Sequence, residues 1–399
     1  MRHVYDNANR CLQCSDPRCQ KGCPVATPIR KAIDLLKSGN IVSAGELLFE
    51  NNPLSIICCH VCPQENQCEG HCILSAKDNS PVRISSIEKY ISDYYLNIYK
   101  PVPSKKTNGK VAVIGAGPAG MTIAFLLSSL DYDVVMFERH AHMGGVLRYG
   151  IPEFRLPNDY LSRIKRLLLA KGVTFRQNST IGRNITIDDM INDGYQAICI
   201  CAGVWKPTKM NLKGESFGNV HYALDYLKKP KTYNLGKTVA VIGSGNTAMD
   251  VARTAFRFGS LEVSIICRGG EESISARNVE RAYAELDGAR FVFNKNTVEF
   301  TDDGIIIEDV VTKERELFKT DSTIIAVGQQ PRNVIVSNTT GIEVTDKGLV
   351  KVDENGQTTR EAVFACGDVT TGARTVVGAI AAAKKVANTI HEYILAKKC

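Results

Sequence analysis

Lys110-Val-Ala-Val-Ile-Gly-Ala-Gly-Pro-Ala-Gly120 decides the fold: a β-rich pentapeptide runs straight into Gly115-x-Gly117-x-x-Gly120 and then into the helical run of residues 121–130. In that setting the glycines let the backbone turn tightly and approach a pyrophosphate, which rests on the amides and the positive end of the helix N-terminus. Ala116, Pro118 and Ala119 complete the loop. A second strand, residues 134–137, delivers Glu138 about twenty residues beyond Gly115, where a carboxylate accepts hydrogen bonds from a ribose 2′-hydroxyl. A free 2′-hydroxyl fits FAD or NAD.

The pattern recurs at Thr238-Val-Ala-Val-Ile-Gly-Ser-Gly-Asn-Thr-Ala-Met-Asp250, so Gly243, Ser244, Gly245, Asn246, Thr247 and Ala248 form a second loop. Here the next strand, residues 263–267, ends in Arg268 where an acid would stand, and an arginine accommodates a 2′-phosphate. NADP is therefore expected over NAD. Arg277 is a second candidate for that phosphate, with Ala326 and Gly328 further along the same expected site. The plainer alternative is that both arginines are surface charges, since Gly269 and Gly270 leave the loop free to aim elsewhere. Near the C-terminus, Val363-Phe-Ala-Cys-Gly367-Asp368 reads as a strand ending in Gly-Asp, and an amphipathic helix follows Thr375. Asp368 is placed to accept from a ribityl or ribose hydroxyl, and Thr375 and Val376 to set a positive helix end beside a flavin pyrimidine ring. Two dinucleotide folds in one chain suggest one bound flavin and one diffusing nicotinamide.

Nine of the 14 cysteines fall between residues 11 and 72. Cys11, Cys14, Cys19 and Cys23 are spaced CxxCx4CxxxCP and are answered by Cys62, Cys68 and Cys72. Disulfides, zinc and iron–sulfur all use such clusters. No secretory signal precedes the cysteines, zinc ligands usually come as two separated pairs, and a four-cysteine run closed by Cys-Pro resembles an iron–sulfur pattern. Cys58 and Cys59 are expected to pack as small apolar residues. Cys199 and Cys201 are read as core residues that alternate faces of an apolar strand, which argues against a thioredoxin-reductase-like dithiol.

The chain is 399 residues long with 23% charged and 44% apolar residues, a globular composition with room for two or three domains. Its net charge of +7 is spread among acids, so nucleic acid is a poor partner and anionic cofactors account for the excess. The uncharged stretch 111–130 opens with nucleotide-loop glycines, so no membrane span is expected, and the reducing reading of the cysteines places the protein in the cytoplasm. Residues 1–100 read as helical: Thr27 as N-cap before Pro28, an apolar face on Ile29, Ile33, Leu35 and Leu36, and further helices starting near Ser43 and Ser85. Residues 101–109 carry two prolines and two lysines without periodicity and read as a linker. Alternating strands and helices beyond it imply βαβ units on parallel sheets.

With these residues in hand, the chain resembles the small, electron-input subunit of bacterial glutamate synthase. It is similar also to the N-terminal half of dihydropyrimidine dehydrogenase and its separately encoded bacterial flavin subunit. The likeness covers about residues 8–395 and rests on the cysteines, Asn52-Pro53, Val61-Cys62-Pro63, the two glycine motifs, Gly144-Gly145, Arg148-Tyr-Gly-Ile-Pro-Glu-Phe-Arg-Leu-Pro157 and Cys366-Gly-Asp. It implies an α/β fold with an N-terminal all-helical iron–sulfur domain and two Rossmann-like domains, the NADP domain inserted into the FAD domain. The expected boundaries are 1–100 helical, 110–205 with 321–399 for FAD, and 206–320 for NAD(P). The resemblance further implies two [4Fe–4S] clusters, one on Cys11, Cys14, Cys19 and Cys72, the other on Cys23, Cys62, Cys68 and a non-cysteine ligand falling on Glu88. Ser85-Ser-Ile-Glu88 also reads as a capping box, a competing role for that glutamate. For the flavin the resemblance adds Gly145, Val146, Arg155 and Ile181. The sequence departs from the glutamate synthase pattern at Gly269, where a second arginine often follows the first, and at Ser275, where proline is usual.

The activity implied is hydride transfer from NADPH to FAD and single-electron transfer through the clusters to a partner. That partner is a glutamate synthase large subunit, the FMN subunit of a dihydropyrimidine dehydrogenase, or ferredoxin. A non-enzymatic iron–sulfur redox sensor is the reading from another class.

Overall fold

Residues 111–114 are all buried, which demands cover on both faces and suits the middle of a parallel sheet. In the computed structural model, which describes residues 2–332 and 334–398, Lys110–Ile114 pairs in parallel with Asp133–Phe137 on one side and Ala197–Ile200 on the other. The full order is Val363–Ala365, Ala197–Ile200, Lys110–Ile114, Asp133–Phe137, Thr174–Arg176. The helices Pro118–Ser129 and Val376–Ala396 pack against one another beside this sheet.

Thr238–Ile242 repeats the arrangement in a second parallel sheet, ordered Val220–Tyr222, Ser322–Ile325, Thr238–Ile242, Glu262–Ile266, Arg290–Val292. An antiparallel sheet of Lys295–Thr301, Gly304–Asp309 and Arg315–Lys319 buries Phe300, Ile305 and Ile307 against Ile242, Ile266 and Ile325. The chain divides into two compact units, one of Met1–Leu147, Phe154–Val204 and Pro331–Cys399, the other of Arg148–Glu153 and Trp205–Gln330. The second unit thus runs past the expected boundary at residue 320. Ser322–Ile325 hydrogen-bonds between Val220–Tyr222 and Thr238–Ile242, and an apolar strand cannot leave the sheet that pairs both its edges.

Within the first unit, the N-terminal helices share a core of their own. Ile29, Ala32, Ile33 and Leu36 line one face of Ile29–Lys37 and meet Ala44 and Leu48 from Ile41–Asn51 and Ile84, Ile87 and Ile91 from Ile84–Ile98. Two local expectations fail. Pro28, not Thr27, occupies the cap of Ile29–Lys37, because the Thr27 hydroxyl instead meets Cys23 Sγ at 3.2 Å. The capping box at Ser85 does not form either: Ile84–Ile98 is capped by Arg83, and the Ser85 amide and hydroxyl donate to Glu69 Oε1 at 2.8 and 2.7 Å. The expected linker has no regular structure but is tied down, with the Ser104 amide donating to the Lys171 carbonyl and its hydroxyl to the Tyr132 carbonyl, both at 2.9 Å. Among the described residues no helix is long and apolar enough to cross a membrane.

The second unit holds a buried ion-pair network. Arg253, in the middle of Asn246–Arg257, donates through Nη1 to Glu280 at 3.1 Å and through Nε to Asp287 at 3.0 Å. Arg253→Ala removes one partner from each acid, while Asp287 keeps Arg257 Nη1 at 2.7 Å. Glu280 retains Arg277 at 3.7 Å, so the expected loss is at the low end for a broken buried pair, ~3 kcal/mol. The shift in urea midpoint checks it, and a change no larger than that of an exposed ion pair would place the network outside the folding core.

Candidate functional site

The first glycine loop is shaped by three different demands. Gly115 has φ +104°, and a Cβ there would lie 2.4 Å from the Cys201 carbonyl oxygen. Gly120 lies in the first turn of the helix, so near the strand that a Cβ would fall 1.9 Å from the Gly115 carbonyl oxygen. Gly117 is different: a Cβ there would meet only Gly145 Cα, at 3.9 Å, so the position faces open space, as close approach by a ligand requires. Gly117 caps Pro118–Ser129, whose first amides point into that space. Gly145 has φ +56° and closes against Gly117, while the Gly144 amide donates to the Ala116 carbonyl at 2.8 Å.

Glu138 arrives at the end of Asp133–Phe137 and is 5% exposed. Its Oε2 accepts from the Ala116 amide and its Oε1 from the His140 amide, both at 2.9 Å. Burial pushes its pKa up, against the pull of those amides. The carboxylate therefore holds the loop through both of its oxygens. Opposite, Gly367 has φ +80° and sits 3.2 Å, at its Cβ position, from Ala119 Cβ. Asp368 follows it at the start of Asp368–Thr371, and burial raises its carboxyl to about 6. Thr375 caps Val376–Ala396, accepting from the Gly378 amide at 3.2 Å, with Val376 as the first helical residue. The loops from three strand ends thus converge on one cradle. Val146 opens the short helix Val146–Tyr149 beside it, and Arg155 is half-buried. Ile181 is 3% exposed and packs in the core, so only its backbone remains for a ligand.

In the second loop, Gly243 has φ +135° and lies against the Ala326 carbonyl, 2.6 Å from its Cβ position. Gly245 caps Asn246–Arg257, Ala248 is fully buried, and Gly328 has φ +113°. The Ser275 and Ala276 amides donate to the Ser244 carbonyl at 3.2 and 3.0 Å. A proline at 275 would lack the first of these bonds. Arg268 is exposed beyond Glu262–Ile266, whereas the Arg277 side chain is 10% exposed and paired with Glu280. The two arginines are not equivalent candidates: Arg277 braces the helix Asn278–Leu286, and its amide donates to Asn246 Oδ1 at 3.0 Å.

The N-terminal cysteines gather into two groups. Cys11, Cys14, Cys19 and Cys72 line one cavity walled by Ile29, Ile33, Val82 and Ile84. Burial raises the Cys19 thiol to about 11, and Cys72, Cys11 and Cys14 add to the rise. The Cys62 thiol is pushed up by its contact with Cys58, by burial and by Glu88 and Cys68, and burial, Glu88, Glu69 and Cys23 act together on Cys68. Cys23, Cys62, Cys68 and Glu88 are thus neighbours. Burial and then Glu69 raise the Glu88 carboxyl to about 8, and among the described residues it makes no hydrogen bond. Four converging thiols in an apolar cavity, and three thiols with a desolvated carboxyl, are donor sets that fit iron–sulfur centres.

Residues 109–383 match the family described as pyridine nucleotide-disulphide oxidoreductase, and residues 1–99 match dihydropyrimidine dehydrogenase domain II, 4Fe-4S cluster. The chain belongs to the pyridine nucleotide-disulphide oxidoreductases. This oxidoreductase is 34% identical to the glutamate synthase [NADPH] small chain of Halomonas elongata, over 97% of its own length and 90% of that protein. It is 31% identical to the NAD-dependent dihydropyrimidine dehydrogenase subunit PreT of Escherichia coli K12, over 97% and 93%. Lactococcus lactis thioredoxin reductase shares the fold, with a TM-score of 0.60 and 22% identity over 72% of this chain and 99% of that one. The chain is an FAD-dependent NAD(P)H oxidoreductase with an N-terminal 4Fe–4S domain.

Three features of the oxidoreductase escaped the sequence reading. Cys58 and Cys59 are buried as expected, but Cys58 also receives Asn52 Nδ2 at 3.2 Å and touches Cys62. Glu69 positions the start of the helix that carries Glu88, a role with no local signature because its partner is Ser85. Cys199 and Cys201 do not alternate faces: their sulfurs are 3.5 Å apart. Positions i and i+2 of a strand share a face, and that periodicity was the available signal.

Proposed function

We propose that this oxidoreductase is the NADPH-oxidising small subunit of a glutamate synthase, carrying two [4Fe–4S] clusters and handing electrons to a larger partner in the cytoplasm. The observation that carries the reading is Arg268, exposed beyond Glu262–Ile266 where a 2′-phosphate is recognised. Of the relatives above, the glutamate synthase chain is the one named for NADPH and the dihydropyrimidine dehydrogenase subunit the one named for NAD.

When bound, the flavin exchanges a hydride with the nicotinamide and single electrons with the clusters, which is the chemistry the protein itself lacks. The chain's own residues orient and shield. Gly117 and the first amides of Pro118–Ser129 admit the pyrophosphate, Glu138 takes the ribose, and the N-terminus of Val376–Ala396 supplies positive potential. About two turns along that last helix, Lys384 Nζ donates to the Asn51 carbonyl at 2.7 Å and lies near Cys23. The Cys23 group is thereby tied to the helix that starts at the flavin cradle, while Leu12, between Cys11 and Cys14, is 58% exposed. This order suits passage outward, with the Cys11 group as the exit to the partner.

Arg268→Ala is expected to weaken NADPH by ~1–3 kcal/mol, the loss of a charge-assisted hydrogen bond, and to leave NADH nearly unchanged. Michaelis constants for both nucleotides check it, and equal losses would end the NADPH assignment. A dihydropyrimidine dehydrogenase flavin subunit is the second reading, favoured by the match of residues 1–99. Co-purification of the native complex separates the two, because an amidotransferase and an FMN-dependent pyrimidine reductase are chemically unmistakable.

A further inference from the structure

Ala197–Ile200 runs on into Cys201, and Val363–Ala365 lies alongside with Ala365 opposite Ile200, which brings Cys366 next to Cys201. The Cys199 and Cys201 sulfurs are 3.5 Å apart, those of Cys201 and Cys366 are 3.6 Å apart, and all three lie within 4.8 Å of one another. The residues are 0%, 6% and 2% exposed. None belongs to the N-terminal ligand groups. The cluster stands at the C-terminal end of the parallel sheet, directly behind the first glycine loop, where the Cys201 carbonyl faces Gly115.

A lone buried cysteine packs as a small apolar residue. Three sulfurs brought to a common point by two neighbouring strands instead form a donor set. We propose that Cys199, Cys201 and Cys366 form a binding site for a soft, thiophilic monovalent cation of the Cu(I) type, separate from the iron–sulfur centres. Thiolate donors select soft metals. Zinc calls for four ligands, and among the described residues no further His, Cys, Asp or Glu joins this group. Burial removes the water that would fill a fourth position. Three metal–sulfur bonds of about 2.3 Å around a trigonal centre set the sulfurs roughly 4 Å apart. The fold already holds them near that spacing, so little rearrangement is required. Binding releases thiol protons, as for any thiolate site.

The test uses the anaerobic holoprotein titrated with Cu(I) buffered by bicinchoninate. The expected result is about one copper per chain, a shell of three sulfurs at about 2.3 Å in copper X-ray absorption, and undiminished iron and flavin. Cys199→Ala and Cys366→Ala should each weaken Cu(I) at least about 100-fold, more than outer-shell changes typically do. Cys267→Ala, at a buried cysteine outside the group, should leave it unchanged. Copper uptake that displaces iron, or a shell with fewer than three sulfurs, overturns the proposal on the unaltered protein alone, whether or not the variants fold. Equal Cu(I) affinity in a folded, flavin-loaded Cys366→Ala variant overturns it as well.

Discussion

Gly120→Ala is expected to give protein without flavin, whereas Gly117→Ala folds normally and then binds flavin poorly. An added Cβ at Gly120 falls 1.9 Å from the Gly115 carbonyl oxygen and 3.2 Å from a Val113 side-chain methyl. Neither can retreat, since the first is turn backbone and Val113 is completely buried. Relief requires Pro118–Ser129 to lift from Lys110–Ile114, at a cost of about 3 kcal/mol or more. That displacement carries the pyrophosphate amides away with the helix. At Gly117, φ is −81°, which any residue adopts, and the new methyl would meet only Gly145 Cα at 3.9 Å. The apoprotein is indifferent to it, but the methyl fills the space a pyrophosphate must enter. Flavin content and thermal midpoints of both variants decide the matter. Full flavin loading in Gly117→Ala would show that the open side of the loop is not where the cofactor lies.

Glu88→Ala is expected to remove about four of eight irons per chain while raising, or leaving unchanged, the stability of the apoprotein. The opposite signs follow from where the carboxyl sits. It projects from Ile84–Ile98 toward Cys62 and Cys68, desolvated and near Glu69, which together push its pKa to about 8. Without a cation such a group opposes folding, so deleting it relieves the apoprotein. With iron present, in the proposed reading, the same carboxylate would be the fourth donor. Glu88→Gln keeps the size but removes an anionic ligand, and one cluster's reduction potential should move upward, because cluster potentials follow net charge. Redox titration followed by EPR, with iron analysis, measures both effects. Unchanged potentials and full iron in both variants would reject ligation. A capping role is no longer available as the explanation, because the Ser85 hydroxyl is engaged by Glu69.

Much of this molecule was legible residue by residue. A β-rich pentapeptide, three glycines and a helix specify a nucleotide loop through local backbone chemistry, and both loops adopt the conformations their glycines permit. Glu138 and Arg268 were readable in the same way, since each stands at the end of the strand that follows a glycine loop. The cysteine spacing likewise pointed to a metal-binding domain before any packing was considered. What the sequence could not supply was pairing over distance. Ser322–Ile325 would suit either sheet, and only its two hydrogen-bonded neighbours assign it to the second. Ser85 and Glu88 have capping-box spacing, yet Glu69, remote in sequence, takes the serine first. Arg268 and Arg277 look alike as residues, and the tertiary partner Glu280 separates the exposed one from the braced one. Cys366 is a lone cysteine in the chain until the register of Val363–Ala365 against Ala197–Ile200 sets it beside Cys201. Local backbone preferences act within a few residues and are written there, whereas sheet register and buried charge pairing depend on which distant segments exclude water together.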